Sequence, residues 1–136
     1  MEVVVAVGAM SVLLVALLAL MSLSLRNSRL AKDRAQAVAL ASEGVELMRA
    51  YRDYSWSQLL SAADGTNYNL PDNWVVETGL AAVCVEDRQI NDFFWRCVNL
   101  TAPAVGQVEV AVSVSWPEGS QVFTTNQVGG LSLWER

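Results

Sequence analysis

Few side chains in this chain are equipped for chemistry, and they lie far apart. Glu2 stands ahead of 23 uncharged residues, Val3 to Leu25, in MEVVVAVGAMSVLLVALLALMSLSL. Cys84 and Cys97 bracket CVEDRQINDFFWRC. Oxygen donors gather in two places, Asp64, Asn67 and Asn69 in one and Glu86, Asp87 and Asp92 in the other. Either set offers hard ligands of the kind calcium takes, but EF-hand spacing is missing and solvated acidic loops are the expectation. Histidine is absent altogether, which removes the commonest general base and the commonest metal ligand. The chain has no Gly-rich phosphate loop, no GxSxG and no cysteine beside a base. No catalytic residue, metal or cofactor is therefore expected, and the protein reads as a non-enzyme.

The cysteine spacing fits neither a CxxC redox motif nor a zinc site. A structural disulfide and a pair of buried thiols both remain open. A disulfide would close a loop of about 14 residues, contribute roughly 3 kcal/mol, and point to an oxidising compartment. Asn99-Leu100-Thr101 matches a glycosylation sequon but falls in an expected strand. The five tryptophans (56, 74, 95, 116 and 134) sit near element ends, where packing accounts for them.

Positioning these groups requires two kinds of element. Val3 to Leu25 is long enough for a helix to cross a hydrocarbon layer of about 30 Å. A cleaved signal peptide would need a basic start and a shorter apolar core. Arg26, Arg29, Lys32 and Arg34 follow at once, and by the positive-inside rule they would keep the remainder cytoplasmic. The cysteine pair points the other way, a conflict that a basic leader ahead of Met1 would remove. Gly8, Ser11 and Ser22 are small enough to permit close helix approach, or are incidental.

Residues 26 to 53, RNSRLAKDRAQAVALASEGVELMRAYRD, contain no proline and favour helix. Ala37, Leu40, Ala41, Gly44, Val45, Met48 and Tyr51 form one apolar stripe, with Arg29/Asp33 and Arg49/Asp53 as i,i+4 supports. One helix from about residue 2 to about 53 follows, apolar all round in its first half and amphipathic in its second. Its length would be roughly 75 to 80 Å.

Over residues 1 to 53 the chain resembles the type IV pilin-like proteins. Glu2 ahead of VVVAVGAMSVLLVALLAL and the continuation RLAKDRAQAVALASEGVELMRAYRD carry the likeness. The continuation is similar to minor pilins of the pilus modification group and to type II secretion pseudopilins. The resemblance implies a leader processed at glycine, whereas this sequence begins one residue before the glutamate. It also implies a role for Glu2 in subunit assembly. A carboxylate in hydrocarbon costs several kcal/mol unless paired. In a filament of stacked helices, Glu2 would meet the methylated terminal amine of a neighbour and mark the register. A place at the headgroup level is the simpler alternative.

Beyond Asp53, YSWSQLLSAADGTNYNLPDN is turn-rich. Strands are expected at Trp74–Glu77, Leu80–Glu86, Phe93–Leu100, Val108–Trp116 and Gln121–Val128, with PEGS as a four-residue hairpin turn. Val108, Val110, Val112 and Val114 share one face of an alternating strand. The expected fold is α+β: a long N-terminal helix packed on an antiparallel sheet of four to five strands, the disulfide tying the second and third of them. Its parts would be a transmembrane and polymerisation segment (1–25), an amphipathic segment (26–53) and a globular β-domain (54–136). The last part carries three basic and nine acidic residues, so no nucleic-acid partner is expected.

Two functions stand against each other. One is a pilus or pseudopilus subunit, held in the inner membrane with an extracytoplasmic head and later built into an extracellular filament. Its partners would be sister pilins, membrane lipid before assembly, and the assembly machinery. The other is a single-span membrane protein whose head binds a ligand without polymerising.

Overall fold

The computed structural model describes residues 2–80, 83–85 and 90–133. One helix, α1, runs from Glu2 to Tyr54 without interruption. Nothing in its sequence removes a backbone donor, since Pro71 is the first proline. Ser55 ends it and caps the short α2 (Trp56–Ser61), its hydroxyl accepting the Gln58 amide. Four strands follow: β1 (Asp64–Asn69), β2 (Trp95–Ala104), β3 (Gln107–Glu118) and β4 (Gln121–Ser132). They form one antiparallel sheet in the order β1-β2-β3-β4. The layout is α+β, with four strands.

By internal contacts the chain divides into one unit ending at Ala35 and one beginning at Gln36, a division that falls within α1. The first unit is helix alone. In the second, Ala37, Ala41, Gly44, Val45, Met48 and Tyr51 turn one buried stripe of α1 onto the sheet. The sheet answers with Val98 and Leu100 from β2 and Val108, Val110, Val112 and Val114 from β3, all essentially inaccessible. Fully burying each such side chain contributes about 1.5–3 kcal/mol. The valine alternation of β3 thus faces the helix, as its period of two requires.

The structure corrects several local expectations. Asp64–Asn69, expected as turn, is the edge strand β1; Gly65, at φ +83°, absorbs the register shift between Asp64 and Asn67. Trp74–Glu77 is not a strand, and Val76–Thr78 forms one 3-10 turn instead. Of Leu80–Glu86, residues 81, 82 and 86 lie outside the described residues; Val83 makes a single bridge to Tyr68, and the Cys84 amide donates to the Asn67 carbonyl at 2.8 Å. The PEGS turn is tighter than expected. Pro117 and Glu118 pair with Val122 and Gln121, leaving Gly119-Ser120 as a two-residue turn with Gly119 at φ +61°. Among the surface pairs, Arg49 bonds Glu46 and Asp53 bonds Arg52, rather than each other.

Candidate functional site

Within the first unit the apolar side chains from Val3 to Leu25 have no cover. The large ones from Val3 to Leu25 are each between 55% and 75% exposed, on every side of the helix. A contiguous apolar surface of this extent is not stable in water. The helix is long and apolar enough, near its N-terminus, to cross a membrane, and it suggests a membrane anchor. Glu2 lies in the first turn, where the helix dipole favours negative charge. Ser11 hides its hydroxyl by donating to the Val7 carbonyl at 2.8 Å, so it presents no free polar group to lipid.

The second unit fastens its own stretch of α1 through two residues. Gly44 faces β3 so closely that a Cβ built on it would stand 2.7 Å from Val112 Cγ1 and 3.1 Å from Arg96 Cδ. Into the notch this leaves, β2 inserts Arg96, which is almost wholly buried. Its Nε donates to the Leu70 carbonyl at 3.1 Å, Nη1 to the Leu40 carbonyl at 3.0 Å, and Nη2 to the Pro71 carbonyl at 3.4 Å. Glu43 approaches Nη1 at 3.5 Å. Burial lowers the guanidinium pKa, and Glu43 opposes that shift. One side chain therefore joins the helix, β2 and the loop after β1 through charge-assisted bonds.

In the first oxygen cluster, Asp64 and Asn67 are held by protein partners, while the buried Asn69 Oδ1 has none among the described residues. Asp64 accepts the Thr66 amide at 2.8 Å and the Tyr68 hydroxyl at 3.2 Å. Those bonds, the Thr66 amide first, lower its pKa. Asn67 Oδ1 accepts from Asn99, whose amide also reaches the Gly65 carbonyl. Asn99, the sequon asparagine, thereby pins β1 to β2. Glu86 and Asp87 lie outside the described residues, while Asp92 sits with Asn91 in a tight turn, both at positive φ. Among the described residues no cluster of three potential metal ligands occurs.

Cys84 and Cys97 are joined in a disulfide, their Cα atoms 5.7 Å apart. It does not tie two full strands as expected. It fastens the segment beside β1 to β2, over the sheet face opposite the helix. Four of the tryptophans are structural. Trp74 meets Tyr51 edge-on at 5.6 Å and donates to the Gly79 carbonyl, Trp116 stacks on Phe123, Trp95 is buried, and Trp56 packs against the core. Trp134 lies outside the described residues.

Arg96 was not singled out by its sequence. The one available signal was its place in FFWRCVNL, where strand alternation sets a charged residue on the same face as Val98 and Leu100. Gly44 was counted in the stripe, without a distinct role. No family model, curated protein or solved structure matches this chain.

Proposed function

We propose that this chain is a structural subunit of a type IV pilus or a related secretion pseudopilus, of the minor pilin or pseudopilin kind. One observation supports the reading above the rest: a single helix that is apolar and uncovered from Val3 to Leu25 becomes, further along, a structural part of a folded α+β unit. Such a helix needs lipid or sister helices around its first half. The subunit sits in the inner membrane with its folded part outside, which agrees with the Cys84–Cys97 disulfide, and then enters an extracellular filament. Its partners are neighbouring pilins and the assembly machinery. Its work is assembly, not catalysis.

Glu2 sets the stagger by pairing with a neighbour's terminal amine. The test is Glu2→Ala, with the chain followed in carbonate-washed membranes and in sheared filaments. The variant should stay in the membrane and be lost from filaments. Normal entry of the variant into filaments defeats the role given to Glu2, and absence of the wild-type chain itself from filaments defeats the subunit proposal and favours a single-span protein that does not polymerise.

A further inference from the structure

We infer that Arg26, Arg29, Lys32 and Arg34 form a basic girdle that binds anionic phospholipid headgroups at the membrane surface where the apolar span ends. The inference rests on the membrane-spanning reading of Val3–Leu25. These cations start at the first residue after the span and are all exposed. Asp33 is the one acid among residues 26 to 35, so the segment carries four cations against one carboxylate, net +3. Among the described residues none of the four cations lies within ion-pair distance of a carboxylate, and the Arg29/Asp33 pair favoured by spacing does not form.

Their arrangement around the helix selects the partner. At about 100° per residue, taking Arg26 as zero, Arg29, Lys32 and Arg34 project at about 300°, 240° and 80°. Together they span about 200° of the circumference, roughly twice the ~100° stripe by which a helix meets one packed surface. A protein partner would engage one side and leave the others in water. A lipid surface surrounds the helix and meets all four. Along the axis they occupy about 12 Å, and the long side chains can bring their charges to one level. Anionic leaflets attract juxtamembrane Lys and Arg, each additively and within a Debye length.

The test uses the full chain, moved from detergent into mixed vesicles of phosphatidylcholine alone and of phosphatidylcholine with about one third phosphatidylglycerol, the two populations separated afterwards. The wild type should prefer the anionic vesicles by about tenfold or more at low salt, and lose most of that preference in about 0.5 M KCl. R26Q/R29Q/K32Q/R34Q should still insert in both but distribute nearly evenly. Equal distribution of the wild type, or an undiminished preference in the variant, overturns the girdle while leaving the span intact. Self-association of the wild type in neutral micelles that the variant loses would assign the cations to a second copy of the chain, and also overturns it. Removal by carbonate from both vesicle types would overturn the span and the girdle together.

Discussion

Gly44 and Val112 stand where no side chain fits between them: a Cβ on the glycine would lie 2.7 Å from the valine Cγ1. The helix carries a poor helix former at this position because the sheet comes that close. The same gap lets the Arg96 stem pass to the Leu40 carbonyl, which lies one turn back along α1. Glycine and arginine are therefore two halves of one joint.

Gly44→Ala gains about 1 kcal/mol of helix propensity, yet the clash with Val112 and Arg96 costs about 1–3 kcal/mol. The variant should be less stable, read as a lower denaturation midpoint of the full chain in detergent. Combining it with Val112→Ala should give less than additive loss, by about 1 kcal/mol, because the second truncation relieves the first clash. A Gly44→Ala protein more stable than wild type would show that the close approach is not binding.

Arg96→Met keeps much of the apolar volume but withdraws the donors from three carbonyls. The loss should be about 3 kcal/mol or more, the usual consequence of breaking a buried charged network. Glu43→Gln should cost less than about 1 kcal/mol, because that carboxylate is half exposed (49%) and sits at 3.5 Å. If the two losses are similar, the ion pair and not the carbonyl set holds the joint.

Removal of the disulfide, by reductant or as C84S/C97S, should lower stability by about 3 kcal/mol, the value for a loop of about 14 residues. The measurement is the midpoint with and without reductant, and the double variant should show no reductant effect. A wild type insensitive to full reduction would mean that the segment beside β1 is held by its other contacts.

The acid limb should involve Asp64. Its folded pKa lies below the ordinary carboxylate value through the Thr66 amide and hydroxyl and the Tyr68 hydroxyl. A depressed carboxylate contributes stability above its unfolded pKa, near 3.9, and that contribution fades as pH falls through the folded value. Asp64→Asn should flatten the stability profile below about pH 4 and leave its neutral portion little changed in slope. In Tyr68→Phe the carboxyl resonance, followed by NMR, should titrate at higher pH than in wild type. On the alkaline side Tyr51, its pKa raised chiefly by burial, contributes stability that is lost once pH rises past 10.

Reading along the chain was enough to find α1, its buried stripe from Ala37 to Tyr51, and the valine face of β3. Each is written in local periodicity, 3.6 for the helix and 2 for the strand, repeated often enough to outweigh any single residue. Absence of histidine and of catalytic motifs is likewise a property of composition. The β1 strand was illegible because DGTNYN has turn chemistry, and only pairing with β2, through Asn99 and the Thr101, Val98 and Cys97 backbone, makes it a strand. Trp74–Glu77 erred the other way: its β-branched residues pair with no strand among the described residues, and Val76–Thr78 turns instead.

What the sequence by itself determined about this protein is where apolar surface must be covered: all round the helix before Leu25, on one stripe after Ala37, on one face of β3. Only the tertiary structure decided which polar group would be taken into that cover. Arg96 finds its acceptors 26 and 56 residues away, at Leu70 and Leu40, and a buried guanidinium is tolerable only once those carbonyls have been folded into reach. No local pattern encodes that distance, since hydrogen-bond satisfaction depends on positions in space and periodicity depends on positions in the chain.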